Sequence, residues 1–387
     1  MMKQKDLSLD STLLVVLLGL LSFSLLSVYS GSGQYVQEQP FYFVIRQLIW
    51  YAIGAALMLG LAYFDYELLT RWAFPLYLAS LSLLFLVPFI GITKNGSQRW
   101  ISLGVFDLQP SEFMKITLIL CLAHLFQKMG QEKLPFGRSV LPTLKGLLYI
   151  LVPAALVLLQ PDLGSSLMIL AAGGIVLFVS NISTKMISLL LTIGTSVFVG
   201  LVWMYVHAYD TFTSIFKPHQ LGRIYGWLNP QQFASGYGYQ LKQSILGIGS
   251  GQLVGKGITG GDQVQSGRVP EAHTDFIFAV IGEELGFMGA SLLICLYFLL
   301  IYRIMTIAFR ANDLFGVYIC VGTIGLIAFQ VFQNIGMTIG LMPITGLALP
   351  FISYGGSALL TNMMALGLVF SVHRHSKAYW FGQKPMR

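Results

Sequence analysis

Arg268-Val-Pro-Glu-Ala-His-Thr-Asp275-Phe-Ile-Phe-Ala-Val-Ile-Gly-Glu-Glu-Leu-Gly286 runs without interruption into an apolar stretch that ends at Arg303. Four carboxylates (Glu271, Asp275, Glu283 and Glu284), one His and one Arg are gathered in it. Thr274 reads as a helix N-cap, with Asp275 opening the helix behind it. At about 1.5 Å per residue, Asp275 to Arg303 makes a helix of roughly 43 Å, longer than the roughly 30 Å hydrocarbon core of a bilayer. With Arg303 at one interface, the surplus turns carry Asp275 to Glu284 to or beyond the other, where carboxylates are wet and close to lipid headgroups. The stretch predicts a membrane-spanning helix with a charged end.

The rest of the chain agrees. Of 387 residues 55% are hydrophobic and only 10% charged, with mean hydropathy +0.73. Soluble domains carry about 25% charged residues, so a water-soluble protein is excluded. No polar stretch is long enough for a separate soluble domain, and residues 1–387 read as one integral membrane domain without repeats. The basic start (Lys3, Lys5) runs into an apolar stretch of spanning length without a small-residue cleavage site, so no signal peptide is expected. The net charge of +7 forms no basic stripe interleaved with aromatics, which argues against nucleic acid. Cys121, Cys295 and Cys320 lie in apolar runs without metal or redox spacing and read as packing residues.

Spans are expected near 11–30, 43–64, 73–92, 111–127, 146–159, 163–181, 186–207, 275–303, 315–340 and 352–372, a bundle of about ten helices. The fifth reads as short, joined to the sixth through Gln160-Pro161-Asp162. With the N-terminus in the cytoplasm, fourteen of the 23 Lys and Arg fall on inside segments, eight outside, and Lys115 within a span. Both termini are then cytoplasmic. One large extracytoplasmic loop, 208–274, precedes the eighth span. Its Arg223-Ile-Tyr-Gly-Trp227 and Gly236-Tyr-Gly-Tyr239 are too aromatic for a disordered linker, and predict a layer packed on the outer membrane face.

Several polar residues are candidates for chemistry. Asp275 either complements a helix dipole or acts as a base, and a base there needs burial to offset the helix end. Glu283 and Glu284 read as structural charges. Glu112 and Lys115 share a face of the fourth span, either as a structural ion pair or as a functional one. Trp100 beside Arg99 reads as an interfacial anchor; the sharper alternative is a cationic cleft of Arg46, Arg99 and Lys115 suited to a phosphate. Asp162 reads as a helix cap. His273 matters because it lies two residues from Asp275. Ser353, Gly355, Gly356 and Ser357, in Phe351-Ile-Ser-Tyr-Gly-Gly-Ser357, permit close helix packing or exposed backbone beside a cavity.

Taken together these motifs carry a resemblance. His273-Thr-Asp-Phe-Ile-Phe278 and Gly282-Glu-Glu-Leu-Gly286 look like signatures of the SEDS (shape, elongation, division and sporulation) family. So do Gln98-Arg-Trp-Ile101, Gln109-Pro-Ser-Glu112, Gln160-Pro-Asp-Leu-Gly164 and Phe351-Ile-Ser-Tyr-Gly-Gly-Ser357, in the family's order. Gly236-Tyr-Gly-Tyr-Gln-Leu-Lys-Gln-Ser244 is closer to the elongation branch than to the division branch. One departure stands in Gly346-Leu-Ala-Leu-Pro350, where the family pattern has Pro at Ala348, outside the expected charged site.

The resemblance implies a peptidoglycan glycosyltransferase of the bacterial cytoplasmic membrane that polymerises lipid II on the outer face for cell-wall elongation. It implies Asp275 as the residue required for polymerisation, with Trp100, Glu112 and Lys115 also important. Arg46, Arg99, His273, Thr274, Ser353, Gly355, Gly356 and Ser357 are the further expected substrate or diphosphate contacts. A divalent cation (Mg2+ or Mn2+), with no ligand set evident from spacing, is implied too. So are a class B penicillin-binding protein as partner and other membrane proteins of the elongation complex. Asp275 would act as general base on an acceptor hydroxyl, with cations holding the leaving diphosphate. The rivals are a lipid II flippase or transporter, which also accommodates intramembrane Glu112 and Lys115, and a non-catalytic scaffold of the elongation machinery.

Overall fold

The computed structural model describes residues 9–33, 41–94, 97–102, 104, 107–215, 218–233 and 236–376. Lys3, Lys5, Lys217, Lys377, Lys384 and Arg387, on which the expected orientation partly leans, lie outside the described residues, as do both termini.

The described chain is mostly helical. In order it forms α1 (Ser11–Ser32), α2 (Tyr42–Tyr63), α3 (Leu69–Ile90), α4 (Pro110–Gln127), α5 (Phe136–Leu159), α6 (Leu163–Val179) and α7 (Thr184–His207). There follow α8 (Tyr209–Ile215), α9 (Pro218–Leu228), α10 (Tyr237–Ser250), α11 (Asp262–Gln265), α12 (Ile277–Glu284), α13 (Gly286–Ala308), α14 (Leu314–Thr338) and α15 (Gly356–Ser376). Several starts are written in the sequence. Asp10, Asp162, Ser183 and Asp313 accept from main-chain N–H groups at the heads of α1, α6, α7 and α14, which satisfies donors a helix cannot bond itself.

Among the described residues eight helices are long and apolar enough to cross a membrane: α1, α2, α3 with its lead-in turn, α5, α7, α13, α14 and α15. The two other expected spans fall on α6, apolar but only 17 residues long, and on α4, which carries Glu112 and Lys115. The fifth helix is not short. It begins at Phe136, because Pro142 and Pro153 stay inside it rather than ending it.

The expected single helix from 275 to 303 is two. α12 and α13 part at Leu285, where Gly286 takes φ +63. A Cβ there would stand 2.3 Å from the Gly255 nitrogen, so a distant segment lies against the break. That segment also meets the main-chain groups the break frees. Phe287 and Met288 N–H donate to the Gln252 and Leu253 carbonyls, while Lys256 and Gly257 N–H donate to those of Glu283 and Glu284.

Segment 208–274 holds α8 to α11 rather than irregular chain. Leu241, Val264, Val269 and Ala272 from it form a second apolar cluster with Phe276, Val280, Met337 and Ile344. This cluster fixes the segment to α12 and α14. Between α3 and α4 lies a small antiparallel sheet, β1 (Ile92–Lys94), β2 (Ser97–Ser102) and β3 (Asp107–Leu108), in the order β1-β2-β3.

Candidate active site

Asp275 stands in a turn just ahead of α12. Thr274 and Phe276 N–H both donate to the Glu271 carbonyl, and Glu271 itself takes φ +54. The N-cap of α12 is Phe276, with no side-chain cap bond. Thr274 is therefore not the cap; its hydroxyl donates to Glu271 Oε2 at 2.7 Å and helps close the turn.

The Phe351–Ser357 motif grips this turn. Ser353 Oγ donates to the Thr274 carbonyl (2.6 Å) and accepts from Leu349 N–H (2.7 Å), and Tyr354 N–H donates to the His273 carbonyl at 3.0 Å. The His273 ring packs against both Phe43 and Tyr354, with centroids 4.8 and 5.8 Å away, and those two rings touch each other at 5.0 Å. Its burial lowers its pKa, against the opposing pull of Glu271. Gly356 leaves room for the Trp50 ring, which a Cβ would approach to 2.6 Å, whereas Gly355 faces open space. Ser357 Oγ donates to the Asp107 carbonyl and accepts from Gln109 N–H, joining α15 to the sheet and to α4.

The charges around Asp275 come from far along the chain. In β2, Arg99 and Ile101 share a face; Ile101 is buried and Arg99 reaches Asp162 at 3.2 Å. Asp162 caps α6 as expected, and also accepts from Gln109 Nε2 and Ser165 Oγ. On α9, Arg223 and Trp227 lie one turn apart and donate to the carbonyls of Thr345 (3.1 Å) and Gly340 (2.9 Å). Burial, more than any charge, pushes the Asp275 pKa up to about 6; Glu271 adds to the rise, Arg99 and Arg223 oppose it, and Asp162 raises it further. Asp275 is half-buried in protein rather than projected into water. It can take a proton near neutral pH, within electrostatic reach of two guanidinium groups suited to an anion.

The remaining expected residues have different settings. Lys115 and Glu112 are buried, 2.7 Å apart, with Thr361 Oγ1 donating to the same glutamate oxygen at 3.0 Å and Met168 Sδ beside the lysine. This pair ties α4 to α6 and α15. Arg46 is exposed on α2 with its guanidinium 4.9 Å from the Tyr42 ring centroid, and no described contact joins it to Arg99 or Lys115. Trp100 is half-buried in β2, in register with Ile92. Glu283 is held by Lys256 and the N–H groups of Gln263 and Val264, and Glu284 by Ser30 and Gln265.

Among the described residues no three His, Cys, Asp or Glu side chains converge. Asp162 and Glu271, the carboxylates acting on Asp275, are already engaged with Arg99 and Thr274. The donor set of the described residues does not fit a cation caged by protein alone.

Two residues of the site escape sequence reasoning. Arg223 is visible only as part of an aromatic segment. Asn334 stands in an apolar span beside Gln330 and Gln333; three buried amides in such a helix were the available signal. The departure at Ala348 adjoins the site rather than lying outside it, since Asn334 holds the carbonyl of Leu347.

The family model FTSW_RODA_SPOVE, cell cycle protein, matches residues 9–378. Stage V sporulation protein E of Bacillus subtilis is 37% identical, covering 97% of this chain and 100% of its own. The peptidoglycan glycosyltransferase MrdB of Escherichia coli is 37% identical over 95% of this chain and 94% of its own. Among solved structures, a chain from a peptidoglycan synthase complex superposes with a TM-score of 0.78 at 30% identity, covering 96% of this chain and 99% of that one. The rod shape determining protein RodA of Thermus thermophilus gives 0.65 at 29% identity, over 96% and 98%. A match across nearly the whole length, in fold as well as sequence, leaves one conclusion: the chain is a member of the FtsW/RodA/SpoVE family of cell cycle proteins, the SEDS family.

Proposed function

We propose that this protein is a peptidoglycan glycosyltransferase that polymerises lipid II into glycan strands and releases undecaprenyl diphosphate. Asp275 is the general base. It takes the proton from the 4-hydroxyl of the acceptor's terminal GlcNAc as that oxygen attacks the anomeric carbon of the donor MurNAc. The bond to the diphosphate breaks on the opposite face, so an α-linked donor gives a β-linked product. A diphosphate leaves without protonation if its charge is met, and Arg99 and Arg223 are the cations placed to meet it. Arg46 is exposed on α2, against the Tyr42 ring.

The carrying observation is Asp275 itself: a half-buried aspartate with its pKa pushed up to about 6, within electrostatic reach of Arg99 and Arg223 and in a turn gripped by the Phe351–Ser357 motif. A base poised near the working pH combines the right protonation state with enough basicity. A divalent cation would arrive with the diphosphate oxygens, as Mg2+ commonly does, since the described residues offer no cage. The site faces the outer side of the bacterial cytoplasmic membrane, with both termini in the cytoplasm. A class B penicillin-binding protein and other elongation-complex membrane proteins are the partners; the likeness to a chain of a peptidoglycan synthase complex supports the first.

Purified full-length protein incubated with lipid II and Mg2+ or Mn2+ should yield glycan polymer, and Asp275→Ala should yield none. Polymer from Asp275→Ala at the wild-type rate would remove the assignment of the base.

A further inference from the structure

Three consecutive residues between α14 and α15 touch three different parts of the Asp275 site. The Thr345 carbonyl accepts from Arg223 Nη1 at 3.1 Å. The Leu347 carbonyl accepts from Asn334 Nδ2 at 2.7 Å. Between them Gly346, at φ +72, comes so close that a Cβ would stand 3.1 Å from Asp275 Oδ2. The same Asn334 nitrogen donates to the main-chain carbonyl of Asp275 at 2.8 Å. Both N–H groups of the carboxamide are thus engaged, one on each side of the site. Asn334 is fully buried, on a 25-residue helix that packs through the core. An amide in such a place is costly unless hydrogen-bonded, and its partners here are two carbonyls that no helix satisfies.

We infer that Asn334 is a positioning residue for Asp275: it ties the aspartate's main chain to the 345–347 strap and so fixes the carboxylate against Gly346. The inference rests on the reading of Asp275 as the base. Asn334 does not bond the carboxylate; it acts through the peptide that carries it. The ties from α15's lead-in, Ser353 to Thr274 and Tyr354 to His273, both lie ahead of Asp275, and the bond behind it, Phe276 N–H to the Glu271 carbonyl, is internal to the turn. Losing Asn334 therefore cuts the bond of the Asp275 peptide to α14 and lets the strap part from the turn, admitting water.

Two measurable consequences follow. A displacement of about 1 Å in a catalytic group costs on the order of 100-fold in rate. Hydration of the carboxylate also undoes the burial that raises its pKa, so the acid limb of the pH–rate profile moves to lower pH. Glu271 and His273 in the same turn, Arg99 from β2, Arg223 from α9 and Asp162 at the head of α6 remain in place and keep their influence.

The test uses purified full-length protein, with kcat and KM for lipid II measured across pH. Asn334→Ala should lower kcat by about 10- to 100-fold, leave KM nearly unchanged, and shift the acid limb downward. Asn334→Gln, which keeps the carboxamide, should recover part of both effects. Gly346→Ala, with Asn334 intact, should lower kcat by crowding the carboxylate directly. Wild-type kcat and acid limb in folded Asn334→Ala would overturn the inference, as would a kcat loss that only matches the loss of folded protein with the limb unmoved. Should Asn334→Ala not fold, unchanged kcat and acid limb in both Asn334→Gln and Gly346→Ala overturn it equally. Asp275→Asn is run alongside. Activity there removes the base itself, whereas an inactive Asp275→Asn beside a wild-type-like Asn334→Ala removes only the role of Asn334.

Discussion

Arg99 and Asp162 pair at 3.2 Å with unequal burial, the arginine side chain keeping 25% of its surface and the aspartate 3%. Both act on Asp275, in opposite directions: the guanidinium lowers its pKa and the carboxylate raises it. Arg99→Ala removes the first influence and leaves the second unneutralised, so the acid limb of kcat/KM should move above about 6. Asp162→Asn should move it below. A pH profile of each variant checks the pair, and shifts of the same sign in both would contradict this electrostatic account.

Asp275 should also show a conflict between stability and function. Its pKa rises from 3.8 unfolded to about 6 folded. A group raised in this way favours folding fully below 3.8, and that contribution is lost as pH climbs through about 6. At neutral pH the ionised carboxylate is therefore a burden. Asp275→Asn should abolish polymerisation yet stabilise the protein by on the order of 3 kcal/mol. Thermal unfolding at pH 7.5 and at pH 4.5 checks this, with the gain largest at the higher pH. A variant less stable than wild type at pH 7.5 would contradict it.

The sequence carried much of this, through features that are local. Apolar runs bounded by Asp10, Ser183 and Asp313 mark where helices begin, because capping needs only neighbours. Asp275 and the Phe351–Ser357 motif were found because their residue order is distinctive. What remained hidden depends on partners far away in the chain. Gly282-Glu-Glu-Leu-Gly286 continues an apolar helix by pattern, and only segment 252–257, packed against Gly286, breaks it. Arg223 and Asn334 lie more than a hundred residues apart, and meet at Thr345 and Leu347 because α9 folds back over the strap. No spacing rule encodes that meeting. Lys115 looked available for a ligand because its burial beside Glu112 is a property of three packed helices, not of the i,i+3 spacing alone.

That buried pair gives a test of its own. Lys115→Met leaves the Glu112 carboxylate in the core with only the Thr361 hydroxyl donating to it, among the bonds described above. Removing one partner of a buried pair costs about 3–5 kcal/mol, whereas replacing both with neutral groups of similar shape is often tolerated. Lys115→Met alone should therefore lower the unfolding temperature sharply. The double variant Glu112→Gln/Lys115→Met should recover most of it. Additive losses in the double variant, measured by thermal unfolding in the same detergent, would show that the two charges do not depend on each other.

The last prediction concerns Glu283, which joins the 252–265 segment to α12. Glu283 is fully buried and accepts from Lys256 Nζ at 3.1 Å, Gln263 N–H at 2.9 Å and Val264 N–H at 3.1 Å. The three bonds are not equal. Lys256 keeps 26% of its side-chain surface and also reaches Asp262, so water can replace much of what it supplies. Lys256→Ala should cost no more than about 1 kcal/mol. The two N–H groups have no such recourse, since Glu283→Ala leaves them facing the void of the missing side chain, at about 1–3 kcal/mol each. Glu283→Ala should thus destabilise several-fold more than Lys256→Ala, and hydrogen exchange should quicken at Gln263 and Val264. If the lysine variant loosens those amides as much as the glutamate variant does, the ion pair and not the carboxylate's grip on the main chain holds the segment down.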